Sequence, residues 1–440
     1  MTAPQSAPSS TLEMPDGRAR RQRVGWLGLA ALVVALFVAL PIVSVGTNVF
    51  SQGTGGTWAH LASTVLPDYI TTTLWLCIGV GTSAAVIGVG TAWLVTHFDF
   101  PLRRTFEWAL LLPLAMPAYV MAYAYTDVLQ FAGPVQGWLR ATMGWSRADY
   151  WFPDVRTLGG AVVMFSFVLY PYVFMLARSA FMERGGAVIE AGRSLGMSPW
   201  RNFLRVSLPM ARPAIAAGVA LALMETLADY GTVSYFAVQT FTTGIYRAWF
   251  SLGDRVAAAQ LAMCLLGFVV LLLALERQSR GSARFHGSGL RRHPPRGAPL
   301  AGVRAVITVG ACMLPVLIGF VLPGAVLLHM ALTEGDAQFG ARFFALAGNS
   351  VLLSSLTALL AVALALLVAY ARRLDPRALT RAAHWAVGLG YALPGSVIAV
   401  GVLIPVARMD NALAQALHSN FGWNTGLRST GTIAALVFAC

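Results

Sequence analysis

There is no lysine in this chain. All 31 of its strongly basic residues are arginine. A phosphate-binding loop of the GxxxxGK[ST] type needs its lysine to hold the β- and γ-phosphates, so that route to ATP hydrolysis is closed to this polypeptide. Charge of either sign is scarce, at 11% of residues against about 25% in soluble domains. Cysteine is scarce as well. Cys77, Cys264, Cys312 and Cys440 form no CxxC pair, which argues against a zinc site or a disulfide framework and leaves small core residues. Seven histidines are scattered without ligand spacing, and no HExxH occurs. No catalytic residue, metal or cofactor is expected.

What is present is apolar. Hydrophobic residues make up 57% of the 440, and the mean hydropathy is +0.67. A helix crosses a hydrocarbon core of about 30 Å with about 20 apolar residues. The runs at 26–49, 70–96, 108–131, 157–182, 210–230, 255–276, 304–331, 349–371 and 385–407 meet that length, and a tenth begins near Thr430. The fold class is therefore all-α, a polytopic transmembrane bundle. The arginines before the first run, Arg18 to Arg23, resemble the charged start of a signal peptide, but the run is about twice a usual h-region and reads as a retained span.

The arginines also orient the chain. With the N-terminus in the cytoplasm, 22 of the 31 fall in or beside the segments 1–25, 97–107, 183–209, 277–303 and 372–384. Eight fall on the opposite side: Arg140, Arg147, Arg156, Arg247, Arg255, Arg342, Arg408 and Arg428. The positive-inside rule favours this orientation. It also assigns the net charge of +13 to a lipid bilayer rather than to nucleic acid.

The basic, Gly- and Pro-containing stretch 277–303 separates two related halves. Shifting the chain by 277 residues superposes Arg104 on Arg381, Trp108 on Trp385, Ala109 on Ala386, Leu112 on Leu389, Pro117 on Pro394 and Val120 on Val397. Tandem repeats of this kind are common in transporters. The organisation expected is a cytoplasmic tail 1–25, a first six-span domain 26–276, a cytoplasmic linker 277–303 and a second domain 304–440. The last run, Thr430–Cys440, covers about 16 Å, so the second repeat reads as incomplete.

Between the fourth and fifth runs the chain reads EAGRSLGMSPWRNFLRVSLP, Glu190–Pro209. Ala187–Leu195 suits a short helix, Gly196 a left-handed cap, Ser198 an N-cap and Pro199 the first position of a second helix. Trp200, Phe203, Leu204 and Val206 give that helix an apolar side, and Pro209 opens the next span. This pattern resembles the EAA loop of the permeases of binding-protein-dependent ABC importers. Glu190, Ala191, Gly196, Leu208 and Pro209 match it, while Gly192 stands where a second alanine is usual. The resemblance implies a coupling loop (183–209 in all) that docks on one subunit of a cytoplasmic ABC ATPase dimer. Glu190 would hold its geometry, and Leu195, Gly196, Met197 and Trp200 would lie near the docking surface. The loop's repeat twin is expected near residues 463–467.

Beyond the loop, Glu225 and Asp229 are four residues apart on one helix face, and Tyr230 follows. Intramembrane acids mark transport paths by default, and Asp127 is a further candidate. The stretches ETLADYGTVSYF and FTTGIYRAW resemble the ferric-iron branch of the permease family. That implies a periplasmic ferric-binding protein as donor, a bacterial inner-membrane location and an iron cargo. Sister branches carry thiamine, polyamines or phosphonates. An ion-coupled secondary transporter is the reading from another class, and its sign would be charge pairs at mid-membrane.

Overall fold

The computed structural model describes residues 25–49, 57–280, 297–333, 340–375, 377–390 and 393–421. Their elements are α1 (Gly25–Val49), α2 (Thr57–Thr64), α3 (Leu66–His97), β1 (Phe98–Asp99), α4 (Arg103–Ala109), α5 (Ala118–Leu129), α6 (Pro134–Met143), α7 (Leu158–Ser194), α8 (Pro199–Asn202), α9 (Leu208–Ala228), α10 (Gly231–Tyr235), α11 (Phe241–Tyr246), α12 (Arg255–Arg280), β2 (Ala298–Pro299), α13 (Val303–Val316), α14 (Leu322–Thr333), α15 (Ala341–Leu374), α16 (Ala378–Leu389) and α17 (Gly395–Phe421). Among the described residues eight helical stretches are long and apolar enough to cross a membrane, and a ninth if one bent pair counts as a span. The chain is a multi-pass membrane protein. Its tenth apolar run, with Cys440, lies outside the described residues.

The chain forms two compact units. Of the described residues, those within 41–347 and 393–421 form the larger and those within 25–40 and 348–390 the smaller. At the centre of the larger unit α3, α7 and α9 meet backbone to backbone. A Cβ on Gly88 of α3 would stand 2.7 Å from the Val173 Cβ and 2.8 Å from the Tyr170 carbonyl oxygen of α7. A Cβ on Gly218 of α9 would stand 2.7 Å from the Val173 Cα. Without a hydrophobic drive between helices in lipid, such close approach through small residues is what holds them together. In the smaller unit Ala31 of α1 is buried with Val368 and Ala371 of α15.

Two expectations are corrected here. The run 108–131 is not one straight span. The stretches Arg103–Ala115 and Ala118–Met143 are bent by 87°, because Pro113 and Pro117 have no N–H to give and the residue before a proline avoids the helical region. The break frees carbonyls that lipid cannot satisfy, and Tyr170 donates its hydroxyl to the Leu110 oxygen at 2.9 Å. Likewise 385–407 is split between α16 and α17, before Pro394. Two parts of the stretch 277–303 are regular structure. α12 continues to Arg280, and Ala298–Pro299 pairs in parallel with Phe98–Asp99, extended by the Leu300 amide donating to the Asp99 oxygen at 2.9 Å.

Candidate coupling loop and transport path

α7 does not stop at the membrane edge. It runs 37 residues without interruption to Ser194, so the separate short helix expected over Ala187–Leu195 is instead its last turns. Glu183, Arg184 and the Gly185–Gly186 pair interrupt the apolar run without interrupting the helix, because neither charge nor a single turn of glycine breaks the hydrogen-bond ladder. The side chains of Glu190 and Ala191 lie outside the described residues.

The end of α7 is as the sequence predicts. Gly196 has φ +76°, a conformation costing a non-glycine residue about 1–2 kcal/mol. The Met197 amide donates back to the Gly192 oxygen at 3.0 Å, the six-to-one bond of a Schellman turn. Ser198 then caps α8, its hydroxyl accepting from the Arg201 amide at 3.4 Å with Pro199 in the first turn.

Gly192 is the position that departs from the EAA pattern, and the structure gives a reason. An added Cβ there would stand 2.8 Å from the amide nitrogen of Asn202, which is buried. Gly192 is the floor on which Asn202 of α8 sits. Gly192–Gly196 also spells GxSxG, but Ser194 lies in the final turn of a helix and not on the strand-to-helix turn that exposes a nucleophile.

α8 does not end before the next span. A wide turn of π type, Phe203–Ser207, joins it to α9, with the Leu208 amide donating to the Phe203 oxygen, and Pro199–Ala228 forms one span. Pro209 therefore sits inside a continuous helix rather than opening one. The wide turn makes room for its ring and its missing donor.

An aromatic cluster clamps this hairpin to the bundle. The Trp93 ring of α3 lies 4.7 Å from Phe203, 5.0 Å from Phe98 and 5.8 Å from Trp200, centre to centre. His97 stands edge-on to Phe181 of α7 at 5.5 Å. Sequence reading did not single out Trp93, Phe181 or Asn202. The available signal was an aromatic at the end of one span facing the aromatic side of α8. On the outward side Leu195 is 82% exposed and Trp200 58%, with Met197 half-buried. The tip of the hairpin is thus an apolar knob on a fixed base.

The acids of the candidate path separate in role. Glu225 is exposed on α9, and its carboxylate accepts a hydrogen bond from Tyr172 of α7. Asp229, one turn on, is bonded locally. Its Oδ1 accepts from the Thr232 amide at 2.7 Å and its Oδ2 from the Thr232 hydroxyl at 3.2 Å, while its carbonyl accepts from the Thr242 hydroxyl at 3.0 Å. It shapes the turn into α10, a use readable in the sequence from an Asp with Gly two and Thr three residues later. Tyr230 stacks on Tyr246 at 3.9 Å, and Tyr246 on Phe250 at 5.8 Å. Asp127 is half-buried in α5. Among the described residues no hydrogen bond or ion pair joins it to Glu225 or Asp229, so the four candidates do not form one cluster. No group of three or more metal-ligating side chains occurs among the described residues.

Residues 84–278 match the family of binding-protein-dependent transport system inner membrane components. That block belongs to this family of ABC importer permeases. The matched block takes in the whole Glu190–Pro209 hairpin and the stretch from Glu225 to Tyr230. This permease is similar over 399 residues to the Fe(3+)-transport system permease protein FbpB 2 of Haemophilus influenzae, at 25% identity, covering 89% of this chain and 73% of the relative. Over 212 residues it is 29% identical to the sulfate transport system permease protein CysW of Escherichia coli, covering 47% and 69%. Over 251 residues it is 26% identical to a probable molybdenum ABC transporter permease protein of Haloferax volcanii, covering 56% and 87%.

Proposed function

We propose that this permease carries ferric iron inward, taking it from a periplasmic binding protein and drawing its power from a cytoplasmic ATPase dimer that engages the Glu190–Pro209 hairpin. The N-terminus lies in the cytoplasm. The domains divide at 25/26, 276/277 and 303/304 as the repeat suggests. The observation that carries the coupling role is the hairpin's build: Leu195 and Trp200 are exposed on a turn fixed by Gly196 and Ser198 and clamped by Trp93. Two apolar side chains held in water on a rigid turn suit insertion into a partner's groove.

Two observations favour iron over the oxyanions of other relatives. The likeness to the iron permease spans both halves of the chain, whereas that to the sulfate permease covers 47% of it. The exposed acid on α9 is Glu225, with Asp229 a turn away, and carboxylates attract a hard cation and repel sulfate or molybdate. Thiamine and polyamine cargoes share the positive charge and are the alternatives to be excluded.

Two experiments test these parts separately. Gly196→Pro should abolish recovery of the ATPase subunit in a pull-down from solubilised membranes, and undiminished recovery ends the coupling role. Uptake of radiolabelled iron into cells should depend on this chain and fall on Glu225→Gln, with ATPase recovery unchanged. Transport of labelled sulfate, thiamine or polyamine in its place would overturn the iron reading and leave the coupling reading standing.

A further inference from the structure

At the end of α7 away from the hairpin, a cavity of about 290 Å³ lies between α5, α6 and the segment 147–156. Its lining includes Phe131, Gln136, Arg147, Tyr150, Trp151 and Arg156. Arginine is disfavoured on this side of the membrane in the orientation proposed above, yet Arg147 and Arg156 line one small space and Arg140 bonds to Tyr150 of its wall. The guanidinium carbons of Arg140 and Arg147 stand 4.1 and 5.2 Å from the centre of the Phe131 ring. Arg140 Nη1 donates to the Tyr150 hydroxyl at 3.0 Å, that hydroxyl donates to Gln136 Oε1 at 2.7 Å, and Gln136 Nε2 donates to the Leu129 oxygen at 2.7 Å. Arg156 gives Nε and Nη2 to the Tyr235 oxygen at 3.1 and 2.7 Å. A guanidinium has five N–H donors, so each arginine keeps donors in hand.

Among the described residues no carboxylate forms an ion pair with these three arginines. The acids nearby are committed locally. Asp149 Oδ2 accepts from the Ser146 amide at 2.6 Å and the Ser146 hydroxyl at 2.7 Å, bonds that hold its carboxyl below the usual range. Asp154 also lines the cavity, and its Oδ1 accepts from the Arg156 amide at 3.0 Å. Two cations line the cavity and a third stands behind Tyr150, and neither of the two nearby acids pairs with any of them.

The depth of the cavity is given by Trp151 in its lining and by Trp138 and Trp145 on the neighbouring stretch of the chain. Trp151 is 85% exposed and Trp138 65%, and Trp145 is exposed as well. Indoles with this exposure on a membrane protein settle at the headgroup level. α6 has ten residues, about 15 Å, too short to cross and suited to lie along that level. Arginine forks match phosphate oxygens, and the exposed Val135 and Met143 of α6 offer apolar surface beside them. We propose that this cavity holds the phosphate of an anionic phospholipid, with Arg147 as its principal donor and Arg140 and Arg156 beside it.

The test uses the purified full chain, stripped of lipid in detergent and presented with short-chain phosphatidylglycerol, phosphatidylcholine or inorganic phosphate. Native mass spectrometry reads the retained adducts. Phosphatidylglycerol should be retained over phosphatidylcholine, Arg147→Gln should weaken that retention about fivefold, and Arg147→Lys should restore most of it. Equal retention by wild type and Arg147→Gln, or equal retention of the two lipids, overturns the proposal. Displacement of the lipid by inorganic phosphate at equal concentration assigns the site to the free ion and overturns the lipid source. Should Arg147→Gln fail to fold, brominated phosphatidylglycerol should still quench the wild-type tryptophan fluorescence more strongly than brominated phosphatidylcholine, and equal quenching counts against the site.

Discussion

α3 and α15 occupy equivalent places, 277 residues apart, and they share their ends but not their surroundings. α3 ends at His97 and α15 at Leu374, and α5 begins at Ala118 where α17 begins at Gly395, all at the same offset. The small residues Gly81, Ala84, Gly88 and Ala92 are answered by Ala358, Ala361, Ala365 and Ala369. In α3 that stripe is buried against α7 and α9. In α15 all four alanines are exposed, and 6% of the most apolar window of the helix is buried against 39% in α3. Helix ends are decided locally, here by Pro101 and Pro376 shortly after α3 and α15 and by Pro117 and Pro394 just before α5 and α17. Burial is decided by what packs alongside, which no local pattern contains.

That contrast can be broken by substitution, with thermal unfolding of the detergent-solubilised chain as the readout. The largest effect is expected from Gly88→Val, whose side chain would run into the α7 backbone at Tyr170 and Phe174 and should cost about 3 kcal/mol. Ala371→Leu should cost about 2 kcal/mol, because Ala371 is fully buried in the covered patch of α15. Tyr170→Phe should cost about 1–2 kcal/mol by leaving the Leu110 carbonyl without its donor. Ala365→Val, the counterpart of the first change, should stay within about 0.5 kcal/mol. A loss at Ala365 comparable to that at Gly88 would mean that the alanine face of α15 is covered in the solubilised protein.

The sequence made the helical class, most of the spans and both caps of the hairpin readable, because each depends on residues close together in the chain. Gly196 and Ser198 are examples: a left-handed turn and an N-cap leave a signature within three residues. The 87° bend at 110–117 was not readable. Proline is tolerated inside membrane helices, so Pro113 and Pro117 do not by themselves distinguish a bend from a straight span. A bend also needs a donor for the carbonyl it frees, and that donor, the Tyr170 hydroxyl on the Leu110 oxygen, lies sixty residues on. The continuation of α7 past Glu183 was missed because loss of hydrophobicity was read as loss of helix. In the candidate path, Glu225 remained an exposed acid while Asp229 proved to shape a turn. Composition treats the two alike, and only the position of Thr232 separates them.

The wide turn at Phe203–Ser207 has a mechanical consequence. Because it joins α8 to α9 without a break, Trp200 and Glu225 stand on one rod, 25 residues and about 37 Å apart. A load applied to the tip cannot be absorbed by a loop between them. It arrives at the carboxylate as tilt or axial rotation of the rod, and the looser winding of the π turn, beside Pro209, is where torsional compliance is concentrated.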